Sequence, residues 1–318
     1  MKMNNKLAIV IPAYKQQFLR ETLESIANQT CKNFTLYIGD DASPDDLYSI
    51  IRAFENEINI SYKKFNENLG GKDLVAHWGR CIDLTQNEEW IWLFSDDDLM
   101  DLNCVEGFYE SLNNNENVDL LHFNLRIIDQ YGRSTKECNP YPEHLEVTDF
   151  FFRRINFKIN STGVEYIFRK SGYVEKGGFQ NYDLAWCADD ATWIKLGMRS
   201  GIGTIQGPKV SWRYSGSNIS SNVSDKTVIR RKVNSIVSHM KWISTYFAKN
   251  ALIDNTTQFQ KLKWAISIIV ITTAFSFKEK YNIVADIIKE LGFTNIKSRV
   301  TAYLVFWEMK NRTRSFKN

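Results

Sequence analysis

The sequence predicts an α/β fold in which a mostly parallel sheet is flanked by helices and followed by a C-terminal helical region. Three observations carry that expectation. Before Asp119, short apolar runs alternate with stretches of helical period, the pattern of consecutive strand–helix units. The loops after those runs carry aspartates and glycines, as expected where a parallel sheet binds ligands at its carboxyl edge. Beyond Asp225 the pattern becomes helical and strongly basic.

The first strand is Leu7–Ile11, which Pro12 ends far below the length of a secretory leader. A helix follows with Phe18, Leu19, Leu23, Ile26 and Ala27 inward. The second strand, Phe34–Ile38, runs into Gly39-Asp40-Asp41. Ser43 reads as an N-cap with Pro44 at the first helical position, and Asp45 and Asp46 suit the positive end of the helix dipole. A third strand near Ile58–Phe65 leads through Asn68-Leu69-Gly70-Gly71 into a helix with Leu74, Val75, Trp78 and Ile82 inward. Trp90–Phe94 is the fourth strand, ending in Ser95-Asp96-Asp97-Asp98. A helix through Val105, Phe108 and Leu112 precedes a fifth strand near Leu120–Leu125. From about 140 to 224 the pattern is less regular, with one helix around Ala191–Met198, and reads as strands and loops added to the same domain.

Composition sets the limits. With 318 residues, 43% hydrophobic and 14% aromatic, the chain can bury a substantial core. Only 5 prolines and 16 glycines exclude collagen-like structure and leave little for disordered tails. The cysteines (Cys31, Cys81, Cys104, Cys138 and Cys187) are odd in number and form no Cys-x-x-Cys pair, so neither a disulfide framework nor a zinc ribbon fits, and a reducing cytoplasm is expected. The net charge of +3 hides an asymmetry: residues 1–150 hold 13 Lys and Arg against 26 Asp and Glu, and 151–318 hold 27 against 11. An acidic half suits cation binding and disfavours nucleic acid, and a basic half suits an anionic surface.

The loops after strands one to four should meet at one edge. They supply Pro12-Ala13-Tyr14, Asp40-Asp41, Asn68 to Gly71 and Asp96 to Asp98. Carboxylates crowded there repel one another unless donors or a cation intervene, and Mg²⁺ or Mn²⁺ with a nucleoside diphosphate fits that need. Helix-capping chemistry is the plainer reading for these acids, and for Asp40-Asp41 it accounts for one of the two. Gly70 and Gly71 read equally as a turn or as a close backbone approach to phosphate.

These segments resemble family 2 glycosyltransferases, inverting nucleotide-sugar enzymes with the Rossmann-like GT-A fold, of the bacterial surface-polysaccharide type. Ile9 to Tyr14 resembles the family's opening strand and turn, Ser25 to Thr30 its first helix end, and Gly39 to Ser43 its base-binding loop. Asn68 to Gly71 resembles its Asn-x-Gly segment and Ser95 to Asp98 its metal motif. The resemblance implies a GT-A domain over 1–225, with a nucleotide-binding half at 1–125 and an acceptor-binding half at 126–225, and a basic helical region at 226–318. It implies that Pro12, Ala13, Tyr14 and Asp41 hold the nucleobase. Asn68, Gly70 and Gly71 line the donor, Asp96 and Asp97 lie near ribose and diphosphate, and Asp98, with Asp96, takes the cation. Trp186 to Trp193 resembles the acceptor-side segment that bears the catalytic base, which falls on Asp189 or, one residue on, Asp190. Two departures stand out: Ser95 replaces the first acid of the usual Asp-x-Asp, and no histidine follows in Trp212 to Asn218.

The implied reaction moves a sugar from a nucleoside-diphosphate sugar to a hydroxyl of a saccharide or lipid-linked acceptor, with Mn²⁺ or Mg²⁺. No Gly-x-Gly-x-x-Gly or Gly-Lys-Ser/Thr supports a dinucleotide or P-loop enzyme. The alternative is a non-catalytic nucleotide-sugar or glycan-binding component of a polysaccharide assembly complex. Residues 226–318, with 17 basic against 5 acidic side chains, are expected to touch the inner face of the plasma membrane or to pack on the catalytic domain. Within them the uncharged segment Trp264–Phe277 is too short to span a bilayer and reads as an interfacial or a packing helix.

Overall fold

Strands β1 (Leu7–Ala13), β2 (Phe34–Asp40), β3 (Ile60–Lys64), β4 (Trp90–Leu93) and β5 (Leu99–Met100) are separated by α1 (Leu19–Ala27), α2 (Leu47–Ile51) and α3 (Leu74–Ile82). After α4 (Cys104–Ser111) come β6 (Leu120–Ile128), β7 (Ser134–Glu137), β8 (His144–Leu145), α5 (Val147–Ile155), β9 (Tyr166–Arg169), α6 (Lys170–Glu175), α7 (Ala188–Gly197) and β10 (Ile202–Arg213). The C-terminal region is α8 (Lys226–Lys249), α9 (Gln258–Ile271), α10 (Phe277–Glu290) and α11 (Ile296–Ser315). The computed structural model describes residues 6–113, 117–216 and 218–315, the side chains of 297, 298 and 312–315 excepted.

One sheet runs β3-β2-β1-β4-β9-β6-β10-β5, with β7 on β6 and β8 on β10. The ladders β3–β2, β2–β1, β1–β4 and β6–β10 are parallel, and β9 enters antiparallel to both β4 and β6. Two reversals restore the direction. β1, β2, β3, β4, β6 and β10 therefore all point their carboxyl ends the same way, and that shared edge collects the acidic loops. Its central strands are apolar runs because helices cover both faces: β1 is buried along Leu7–Ile11, and Trp92 stacks on Phe123 with centroids 4.9 Å apart. All five inward residues expected for α1 are buried.

Several local expectations change. The α2 N-cap is Asp46, whose carboxylate accepts from the Ser49 amide, and not Ser43. Ser43 serves the turn before the helix: its oxygen accepts the Asp45 amide at 3.1 Å while its hydroxyl donates to the Tyr14 carbonyl at 2.6 Å, next to Ala42 with a left-handed φ of 54°. On α3 the buried face is Val75, His77, Cys81 and Ile82, with Leu74 and Trp78 half-buried. The two-residue strands β5 and β8 are too short for any periodicity, and α5 and α6 arise inside the irregular stretch.

The chain divides into two compact units, Met1–Phe150 with Ile159–Asn181 and Ala188–Ser215, and Phe151–Lys158 with Tyr182–Cys187 and Gly216–Asn318. Helices in the second unit start on side-chain caps: Asp225 for α8, and capping boxes Thr257/Gln260 for α9 and Ser276/Glu279 for α10. Trp264, Ala265, Ile266, Ile268, Ile269 and Val270 of α9 are buried, and α9 packs among α8, α10 and α11. Most of the uncharged segment is therefore core of the helical unit, which is the packing reading for α9, while Ile271 and Phe277 near its end stay exposed. No described helix is long and apolar enough to cross a membrane.

Candidate active site

At the end of β2, Asp40 and Asp41 are both buried and both fully engaged. Asp40 accepts from the Ser43 amide at 2.7 Å and from the Tyr62 hydroxyl at 2.6 Å, with Lys64 Nζ 3.8 Å away. Asp41 accepts the amides of Leu69 and Gly70, one on each oxygen, at 2.8 Å. The Arg80 guanidinium donates to Asp41 Oδ1, and His77 Nδ1 stands 3.5 Å from the same oxygen. Burial pushes His77 down to about 4, so its ring is neutral near neutral pH. Asn68 closes the loop by accepting from the Gly71 amide at 2.8 Å and donating to the Asp41 carbonyl at 3.3 Å.

This geometry explains both glycines. A Cβ on Gly70 would lie 2.7 Å from Asp41 Oδ2, and one on Gly71 would lie 2.4 Å from Asn68 Oδ1. The close approach that needs glycine is to the protein's own carboxylate and amide. The end of β1 is tied into the same frame: the Asp41 amide donates to the Ala13 carbonyl at 2.9 Å, and Pro12 and Ala13 pair with Gly39 and Asp40. Tyr14, just beyond, is 41% exposed.

The acidic turn after β4 is arranged differently. Asp96 Oδ2 accepts the amides of Tyr14 and Lys15 at 2.8 and 2.9 Å, joining the β1 and β4 loops. Asp98 is 1% exposed; its Oδ1 accepts the Arg213 amide at 2.6 Å and its Oδ2 is bonded to Ser95 Oγ. Asp97 Oδ1 also receives Ser95 Oγ, at 2.9 Å, and its Oδ2 has no hydrogen-bond partner among the described residues. The single Ser95 hydroxyl is thus shared between two carboxyl groups. Burial and the Asp97 charge hold Asp98 well above the usual carboxylate range. Burial also raises Asp97, although Ser95, Lys15 and Arg213 oppose the rise, and burial with the Asp97 charge takes Asp96 to about 6.

Arg213, at the carboxyl end of β10, holds this turn from below. Its guanidinium is fully buried, donates to the Asp97 carbonyl at 2.7 Å and to Glu21 Oε2 at 2.7 Å, and stacks on Phe18 at 4.4 Å. A buried cation persists only with such partners. Among the described residues no group of three His, Cys, Asp or Glu side chains encloses an ion. Asp98 has both oxygens engaged by protein groups, whereas Asp96 Oδ1 and Asp97 Oδ2 each have no hydrogen-bond partner among the described residues.

Asp189 and Asp190 occupy the first turn of α7, where acids stabilise a helix. Asp190 is buried and Asp189 is half-buried. Nearby Glu165 is buried, accepts from the Thr162 amide at 2.7 Å and is raised to about 8, mainly by burial, with the Asp189 charge adding to the rise. The segment entering α7 is strained: Leu184, Ala185 and Cys187 have φ of 58°, 52° and 70°. Helix α8 grips it, since Arg231 forks onto Asp183 at 2.8 and 2.6 Å, Ser235 donates to the Asp183 carbonyl at 2.9 Å, and Lys232 lies 4.4 Å above Trp186. Trp193 is core, stacked on Tyr166 at 4.5 Å.

Arg80, His77, Arg213 and Glu165 were not legible as site residues. For Arg80 a signal existed: it follows His77 by three residues on the inner face of an amphipathic helix, where a charge needs a buried partner.

The carboxyl edge of the sheet thus gathers a closed acid-and-amide loop and an acidic turn, in a fold of the GT-A type. Residues 8–173 match the family described as "Glycosyl transferase family 2", and the chain belongs to that family. It is 26% identical over 152 residues to an uncharacterized glycosyltransferase of Methanocaldococcus jannaschii, covering 46% of this chain and 51% of that protein. Over 136 residues it is 32% identical to one of Rickettsia typhi, covering 42% and 41%. The matched segments thus span about half or less of the curated relatives. Among solved structures it resembles S. aureus TarS 1–349 in complex with UDP-GlcNAc (TM-score 0.60, 13% identity, 98% of this chain and 92% of that one). It also resembles the mannosyltransferase PcManGT from Pyrobaculum calidifontis in complex with GDP-Man and Mn²⁺ (TM-score 0.50, 13% identity, 98% and 88%). At these identities the likeness establishes the GT-A fold.

Proposed function

We propose that this protein transfers a sugar, with inversion, from a nucleoside-diphosphate sugar to a hydroxyl of a saccharide or lipid-linked acceptor, and that it does so with Mn²⁺ or Mg²⁺. The observation that carries the reading is the acidic turn: desolvated carboxylates at the carboxyl edge of the sheet, of which Asp96 and Asp97 each keep an oxygen without a donor among the described residues. Hard oxygen donors in small number, completed by substrate phosphates, are what such cations take. The nucleotide-sugar and Mn²⁺ complexes of the structural relatives support the same reading.

In this reading Pro12, Ala13, Tyr14 and the loop that Asp41 organises hold the base, while Asn68, Gly70 and Gly71 form its wall. Asp97 holds the cation with Asp96 beside it, and Asp98 fixes Ser95 and thereby Asp97. When bound, the cation neutralises charge that builds on the departing diphosphate. The acceptor hydroxyl is a weak nucleophile, and Asp189, more accessible than Asp190, takes its proton as the new bond forms. Nucleotide-sugar turnover with Mn²⁺, with and without acceptor, tests the proposal. Asp189→Asn is expected to lower transfer about 10²–10⁴-fold while leaving nucleoside-diphosphate affinity near wild type. A dead Asp190→Asn beside an active Asp189→Asn would move the base by one residue. Nucleotide binding without any turnover would instead make the protein a binding component.

A further inference from the structure

Helix α11 has two apolar faces, and the helical unit uses one. Ala302, Val305 and Phe306 are buried. Ile296, Val300, Leu304 and Trp307, at spacings of four, four and three, lie on the opposite side and are 81%, 53%, 62% and 43% exposed. Helix α10 widens that stripe: the Phe277 ring is 5.2 Å from Trp307, and Tyr281 stacks on Tyr303 at 4.9 Å. Lys310 Nζ sits 3.8 Å from the Phe277 centroid and 5.2 Å from that of Trp307, which leaves a cation at the border of the apolar surface.

We infer that this α10–α11 face docks on an anionic lipid surface. A contiguous exposed stripe of this kind marks an interaction site, and charge selects the occupant. The α11 sequence holds Lys297, Arg299, Lys310, Arg312 and Arg314 against Glu308 alone, within a region of 17 basic and 5 acidic residues. Two such faces brought together would repel, whereas an anionic leaflet attracts them within a Debye length. Tryptophan and tyrosine beside an apolar stripe suit the headgroup level, and a helix that lies in that plane needs no bilayer-spanning length. The buried α9 segment takes no part. The inference stands apart from the identity of donor, acceptor and base.

The test uses the full chain with phosphatidylcholine vesicles, prepared with and without phosphatidylglycerol and spun in a flotation gradient. Flotation is expected only with the anionic vesicles, and it weakens as salt rises. Val300→Ser with Leu304→Ser should reduce partitioning by about tenfold or more. Ile296→Ser with Trp307→Ser is the second variant, and an unchanged melting temperature in either pair keeps the comparison valid. Equal binding to neutral vesicles, no binding to either, or flotation untouched by both variants would overturn the inference. So would a concentration-dependent dimer that the same substitutions dissolve, since the face would then join two copies of the chain.

Discussion

Asp40 and Asp41 after β2 and Asp96 to Asp98 after β4 stand at the same edge of the sheet, but they are answered differently: side-chain cations stand against the carboxylates of the first group, and backbone amides with the Ser95 hydroxyl meet the second. Lys64 and Arg80 lie beside the β2 acids, and the Leu69 and Gly70 amides complete Asp41. After β4, burial dominates, the one nearby hydroxyl is divided between two carboxyls, and the Arg213 guanidinium is spent on a carbonyl and on Glu21. The difference separates two tasks. A complete loop is rigid and shapes a pocket in advance, whereas an incomplete acidic turn keeps acceptor capacity for a ligand that brings positive charge.

The largest expected effect breaks the acidic turn. Asp97→Asn should lower Mn²⁺-supported turnover by about 10²-fold or more, in line with loss of a group that stabilises developing charge. Asp98→Asn should be milder, because an amide at that position can keep the contact with Ser95 Oγ and accept the Arg213 amide, leaving Asp97 in place. Steady-state kinetics over a Mn²⁺ series separates the two. Equal loss in both variants would mean that Asp98 shares the cation.

A smaller effect is expected at the complete loop. Arg80→Ala removes a donor to a buried carboxylate and should weaken nucleoside-diphosphate binding by about 1–3 kcal/mol. Its loss should be the same with and without Mn²⁺, and isothermal calorimetry in chelator and in Mn²⁺ checks this. Dependence on the ion would show that the two loops act as one site.

The smallest effect concerns the carboxyl near Asp189. Glu165 is raised to about 8, so the folded state binds its proton more tightly than the unfolded chain does. Its contribution is fully present below the unfolded value near 4.5 and is lost as pH rises through about 8. Glu165→Gln should therefore raise the melting temperature at pH 9 relative to wild type and change it little at pH 5. A variant destabilised equally at both values would show that Glu165 acts through its hydrogen bonds to Thr162 alone.

Much of this arrangement was legible in the sequence because it rests on short-range pattern. The apolar runs of β1, β2 and β4 are buried on both faces, and the loops after them must share an edge. Their residues could be named for that reason. What remained hidden depends on contacts between distant segments. Arg213 lies 115 residues from Asp98 in sequence, and Arg80 lies 39 from Asp41. The distribution of roles among three consecutive aspartates depends on which oxygen meets which donor, and periodicity carries no such information. The Ser43 cap failed similarly, since its oxygen accepts the Asp45 amide in a turn that precedes the helix, and the helix itself starts on Asp46. In α9, an uncharged run looks alike whether lipid or neighbouring helices cover it.

Calorimetric titration of a nucleoside diphosphate into the wild-type protein and Asp97→Asn, each in Mn²⁺ and in chelator, bears most directly on the incomplete acidic turn. Mn²⁺ is expected to tighten binding to wild type by about tenfold or more, Asp97→Asn to abolish this gain, and both proteins to bind alike in chelator. A Mn²⁺ gain that survives in Asp97→Asn, or its absence from wild type, would contradict the assignment of the cation to this residue.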